Sequence, residues 1–75
     1  MNQEISVELI KKEEGGLFNL NKIIIKENGS ETSYESSTPI LFKYEEEKEI
    51  KTFVKNYLSQ KNYNVHDSFI KLEYF

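Results

Sequence analysis

The chain contains no cysteine, arginine, tryptophan or alanine, and has one proline, one histidine and three glycines among its 75 residues. Each absence closes off a class of structure or chemistry. Without cysteine there is no disulfide and no thiolate metal ligand, so packing alone must hold a short chain together. The expected setting is a reducing compartment, the cytoplasm of a bacterial cell. Without arginine the chain lacks the planar fork that grips phosphates and guanine edges at two points, which argues against direct nucleic-acid binding. A zinc site wants several His or Cys side chains and His66 stands alone, so no metal and no other cofactor is expected. Gly15-Gly16 lies between two strand-like runs and does not open a helix, so there is no glycine-rich phosphate loop. No apolar run approaches the ~20 residues of a membrane-spanning helix, and no N-terminal stretch reads as a secretion signal. A usage rich in Lys, Asn, Ile, Tyr and Phe without Arg or Ala matches the codons of an AT-rich genome, which points to a low-GC bacterium or its phages.

What is present fits one domain spanning residues 1–75 with a small core. The longest periodic run, Tyr44–Lys61, predicts an amphipathic helix. Ile50, Phe53, Val54, Tyr57 and Leu58 recur at the spacing that lines up one helical face, while Lys51, Lys55, Asn56 and Ser59 fall outside it. Glu45, Glu46, Glu47 and Glu49 crowd its start, where free amides and the positive end of the dipole favour carboxylates, and Lys55 and Lys61 lie toward its end. Glu47 and Lys51 stand four apart with the acidic partner first. Asn62 or Asn64 supplies a left-handed stop, with Tyr63 folding back on the helix.

The remaining segments read as strands. In Glu4–Lys12, Ile5, Val7 and Leu9 alternate with Ser6, Glu8 and Ile10, a half-buried pattern. After a turn at residues 13–16, LFNLNKIIIKE runs to Asn28-Gly29, the strongest short-range hairpin signal. A two-residue turn there sets Lys26 opposite Glu31, Lys22 opposite Glu35, Ile23 opposite Tyr34 and Ile25 opposite Thr32. Both charge pairs then share one face and both apolar pairs the other, an agreement that a one-residue slip destroys. For the first hairpin, a two-residue Gly15-Gly16 turn would set Leu9 against Lys22 and mix the faces. A three-residue loop, Glu14-Gly15-Gly16, pairs Val7 with Ile23 and Ile5 with Ile25 instead. That loop also predicts an outer face carrying Ile10, Phe18, Leu20 and Ile24, of which Ile10, Phe18 and Leu20 form a candidate contact patch. After Tyr34 the segment ESSTP breaks the strand at Pro39, and Ile40, Phe42 and Tyr44 alternate as a short strand entering the helix. A helix capped by Thr38 and begun at Pro39 is the alternative. Ser68–Phe75 is a last strand with Ile70, Leu72 and Tyr74 on one side. The expected fold is α+β: a small, mostly antiparallel sheet of three to five strands in β-β-β-α-β order, with one amphipathic helix packed across one face. The final strand is reached by crossover and runs parallel to its neighbour.

The chemistry on offer is sparse. His66-Asp67-Ser68 holds the residue types of a hydrolase triad, but consecutive residues of an extended segment point in alternating directions and cannot chain nucleophile to base to orienting acid. They read as a polar turn into the last strand. The Glu45–Glu49 carboxylates diverge around the helix axis, so a solvated helix start accounts for them better than a calcium site. Asn28-Gly29-Ser30 matches a glycosylation acceptor, which the turn explains. No catalytic residue is expected, and the chain is read as non-enzymatic.

A surface remains. With 13 acidic residues against 10 basic ones, all lysine, the net charge is −3. The acidic residues concentrate at Glu27, Glu31 and Glu35 and at the helix start. KIIIKENGSETSYESS followed by EEEKEIKTFVKNYLSQKN resembles the small acidic phage-encoded anti-CRISPR proteins of type II-A, in which a strand, an Asn/Gly hairpin turn, a Ser/Glu-rich segment and an amphipathic helix follow one another. That resemblance implies an inhibitor whose carboxylates occupy the basic nucleic-acid site of a partner such as a CRISPR-Cas nuclease. Glu27, Glu45, Glu46 and Glu49, which have no lysine opposite in the expected register, are the candidate contacts. The alternative is an adaptor or homodimeric assembly module that uses an edge strand or the Ile10, Phe18 and Leu20 patch.

Overall fold

Residues 3–13 and 15–75 are described by the computed structural model. Asn28 and Gly29 both take positive φ, 51° and 83°, as a two-residue turn matched to the twist of its strands requires. This turn joins β2 (Leu17–Glu27) to β3 (Ser30–Glu35). The register is the expected one: Lys26 opposite Glu31, Ile25 opposite Thr32, Ile23 opposite Tyr34 and Lys22 opposite Glu35.

β1 (Gln3–Lys11) lies antiparallel on the other side of β2, with Ile5 opposite Ile25 and Val7 opposite Ile23. These two pairs match the sequence reading, yet the strands do not continue in step. Glu8 faces Lys22 and Leu9 faces Leu20, so Asn21 is an extra residue in β2, a bulge. Because side chains alternate across a strand, one extra residue exchanges the faces of everything before it. Leu20, expected outside, is buried with Leu9 at 3 % exposure, and Phe18 turns with it toward the core side. The expected three-residue loop includes Glu14, which lies outside the described residues. A bond from Lys12 N to Leu17 O (2.8 Å) closes the hairpin end around residues 13–16.

The bulge coincides with a change of partner along β2. Beyond Lys22 the neighbour is no longer β3 but β4 (Leu41–Lys43), which pairs with Leu17, Phe18 and Asn19. The break at ESSTP lets the chain rejoin the same edge lower down, and Asn19 Oδ1 accepts from Ile40 N at 3.0 Å to hold it there. The alternative helix from Thr38 is not adopted. α1 covers Glu47–Gln60, three residues shorter at its start than the periodicity suggests. Glu46 closes the preceding turn: its amide donates to Lys43 O (3.0 Å) and its carboxylate accepts from Lys43 N (2.8 Å). At the far end Asn62 takes φ 70°. Asn62 N donates to Ser59 O (3.0 Å) and Tyr63 N to Leu58 O (2.9 Å), the paired bonds that end a helix through a left-handed residue.

A short 3₁₀ turn (Asp67–Phe69) leads to β5 (Ile70–Tyr74), which runs parallel to β1. β4 and β5 therefore run the same way, joined by α1, with β2 and β1 between them: a split β-α-β unit. α1 lays Ile50, Val54 and Leu58, all fully buried, onto Ile5, Val7, Leu9, Ile23, Ile25 and Ile70. Phe53 and Tyr57, expected in the buried stripe, flank it half-buried; Phe53 meets Phe42 and Tyr57 meets Tyr34, with ring centroids 5.9 Å apart in both pairs. Lys55 and Lys61 serve other purposes than the helix dipole. Lys55 pairs with Asp67 at 2.8 Å, and Lys61 lies over the rings of Tyr34 and Tyr57.

Candidate interaction site

One helix covers one face of the sheet, so the other face is built only from the outward side chains of the strands. The register arranges them in rows. Lys26 stands between Glu4 and Glu31, and Ile24 between Ser6 and Ser33. Lys22 stands between Glu8 and Glu35, with Glu73 beyond Glu8. Lys22 and Lys26 of β2 have carboxylates on both sides, and Lys71 of β5 stands beyond Ser6. Lys26 reaches Glu31 at 3.8 Å as expected, but Lys22 reaches Glu8 at 3.7 Å and not the Glu35 opposite it.

The next outward row toward the Gly15-Gly16 end is different. Ile10 faces Asn19, Asn19 faces Leu41, and Phe75 continues β5 beside Ile10 through Phe75 N to Leu9 O (2.8 Å) and Lys11 N to Phe75 O (3.0 Å). Alternation sets Phe75 outward, because Tyr74 faces inward onto Phe18 with ring centroids 5.0 Å apart. Phe42 likewise packs inward on Phe53, which sets Leu41 outward. Phe75 (64 % exposed), Leu41 (44 %) and Ile10 (39 %) are three of the five large hydrophobic residues exposed among the described residues. Leu17 and Leu41 also line a depression of about 410 Å³ rimmed by Lys11, Lys12 and Glu13. The exposed apolar group on this face is therefore Ile10, Leu41 and Phe75. Of the expected trio, Ile10 stays, Leu20 is core, and Phe18 faces inward, where its ring, Tyr44 and Tyr74 all meet one another. Nothing in local sequence marks Asn21 as a bulge, and without it Leu41, which pairs with Asn19, cannot be assigned to this row.

The acidic candidates are not one cluster. Glu27 ends β2 and lines a hollow with Gln3, Lys61, Asn62, Tyr63, Asn64 and Phe69, beside the C-terminal end of α1. The helix start lies beside β4, whose Lys43 pairs with Leu17 at the opposite end of the eleven-residue β2, roughly 30 Å away by strand rise. Of the helix-start carboxylates, Glu46 holds the turn and Glu47 pairs with Lys51 at 3.5 Å. Glu45 and Glu49 are exposed.

His66, Asp67 and Ser68 are each committed to local structure. His66 Nδ1 accepts from Ser68 N (3.2 Å) and lies 2.9 Å from Ser68 Oγ, capping the 3₁₀ turn. The Lys55 ammonium beside Asp67 holds its carboxyl below the usual aspartate range. Burial, with the Glu47 carboxylate adding to it, raises the Tyr74 phenol above its usual value. Among the described residues no three His, Cys, Asp or Glu side chains are grouped to hold a metal ion, and no helix is long and apolar enough to cross a membrane. Comparison with protein-family models, curated proteins and solved structures finds no match to this chain.

Proposed function

We propose that the chain is a non-catalytic binding protein that engages a protein partner through the helix-free face of its sheet, around Ile10, Leu41 and Phe75. The observation that carries this reading is the row itself: three large apolar side chains from three separate segments, exposed in one row with Asn19 between Ile10 and Leu41, beyond rows of charge. Isolated exposed apolar residues are ordinary, but a contiguous group with a polar rim is the composition of a contact surface. A second reading keeps the chain as an acidic inhibitor of a nucleic-acid-handling protein such as a CRISPR-Cas nuclease. It is favoured by the exposure of Glu45 and Glu49, and it loses Glu27 and Glu46 to position and to the turn.

Two variants separate the readings. Ile10→Ser with Leu41→Ser removes apolar surface from exposed positions, and Glu45→Gln with Glu49→Gln removes charge at constant size. Tagged forms of each, first shown to be folded by circular dichroism, are used to capture partners from bacterial lysate at ~50 and ~300 mM salt, across which exposed charges become largely screened. Under the first reading a captured protein disappears with the serine variant and survives high salt. Under the second it disappears with the glutamine variant and at high salt. A partner retained by both variants rules out both surfaces.

A further inference from the structure

β5 is the outer strand of the sheet, with β1 on one side and no described strand on the other. Its peptide groups alternate sides. Those of Phe75 point to β1, as the bonds to Leu9 O and from Lys11 N show, so those of Lys71 and Glu73 do too, and those of Leu72 and Tyr74 point to the open edge. Ile70 N is already bonded to Asp67 O, which leaves Ile70 O for that edge. An open edge of this kind is a template for another strand.

We propose that the occupant of the edge is β5 of a second copy, antiparallel about a two-fold axis between the two Leu72 residues. The strand is complementary to itself in that register. Leu72 meets Leu72, Ile70 meets Tyr74 of the second copy, and Lys71 meets Glu73 of the second copy twice over. The two Leu72 groups exchange a pair of hydrogen bonds, and each Tyr74 N donates to Ile70 O across the axis. Shifting the centre to Lys71 or Glu73 keeps the backbone phase but sets like charges opposite each other, so charge selects Leu72. The other open edge contrasts with this one: self-pairing of β3 about Ser33 sets Glu31 against Glu35. The inward-facing charges, prolines and bulges that commonly blunt an edge are missing from Ile70–Tyr74. The contact is isologous, and it joins two sheets into one while leaving both helices on the same side. The paired edge ends beside Phe75 and includes neither Ile10 nor Leu41, so a chain that stays monomeric leaves the partner surface proposed around that row standing.

The test is sedimentation equilibrium on the full chain from ~10 µM to ~1 mM, because a single strand pair is a small interface and associates weakly. Wild type is expected to show a concentration-dependent dimer. Glu73→Lys should weaken dimerisation about tenfold or more, and Lys71→Glu with Glu73→Lys should restore it, with circular dichroism confirming that each variant is folded. Backbone exchange of Leu72 and Tyr74 should slow as concentration rises. A wild type that stays monomeric throughout the range, or a dimer indifferent to the single charge change, overturns the proposal.

Discussion

Leu20 and Ile10 exchange roles because of Asn21, and the exchange is measurable. Leu20 is 3 % exposed and Ile10 39 %, whereas an unbulged β2 would put Leu20 outside with Ile10. Leu20→Ala removes buried carbons and leaves a void. Buried leucines lose about 2.7–5.0 kcal/mol on this change. Leu20 lies near the hairpin end of the sheet, where neighbours can close part of the space, so about 2.5–3.5 kcal/mol is expected. Ile10→Ala gives up surface that water already reaches, and about 0.5–1 kcal/mol is expected. A 75-residue chain has a total stability of roughly 4–11 kcal/mol. The first loss is thus a large fraction of the whole and the second a small one. The assay is urea denaturation followed by far-ultraviolet circular dichroism. With a slope near ~1 kcal/mol per molar urea, Leu20→Ala should move the midpoint by about 2 M or more and Ile10→Ala by less than about 1 M. Deleting Asn21 should be worse than either, since it turns Leu20 and Phe18 outward together. An Ile10→Ala loss equal to or above that of Leu20→Ala would refute the bulge and the face assignments that rest on it.

Other expected outcomes follow from the same packing. Phe53→Ala should cost about 2–3 kcal/mol, below the 3–5 kcal/mol of a fully buried phenylalanine, because Phe53 flanks the Ile50, Val54 and Leu58 row instead of joining it; urea denaturation reads this directly, and an unchanged midpoint would mean the ring makes no useful contact. Lys26→Glu, which faces both Glu4 and Glu31, should destabilise by about 0.5 kcal/mol or less, since the pair is well exposed; the exchange Lys26→Glu with Glu31→Lys should recover part of that loss and not all of it, because Glu4 then faces a like charge, and equal effects of the two would remove the Lys26–Glu31 pairing. Asp67 titrates below its usual range in the folded chain because of Lys55, so the folded state binds this proton less readily than the unfolded one. The Lys55 pair therefore contributes above the unfolded pKa, and its contribution is lost as pH falls through the lower folded value. Thermal midpoints measured from pH 6 down to pH 2 should fall less steeply in Asp67→Asn, and parallel profiles would exclude the ion pair as a contributor.

How much of this was legible in the sequence depended on whether the signal was local. The Asn28-Gly29 turn carries its own backbone geometry, and charge and apolar pairing across it select one register, so β2 against β3 could be read residue by residue. The Ile50, Val54 and Leu58 spacing is intrinsic to a helix, and Asn62 tolerates the left-handed conformation that ends it. The parallel final strand followed from chain connectivity. Three features depended on contacts between distant segments. Tyr44, Glu45 and Glu46 have helix-compatible residue types, but Lys43 is held by β2 and Glu46 by Lys43, so α1 begins at Glu47. Glu27 and the helix-start carboxylates look alike in sequence, but the length of β2 sets them at opposite ends. The bulge at Asn21 is the clearest case. Two partners, β3 and β4, share one edge of β2, and the change between them is accommodated by one extra residue, which sends Leu20 inward. A strand's own alternation says which residues share a face, and only the strands beside it decide which face meets the core.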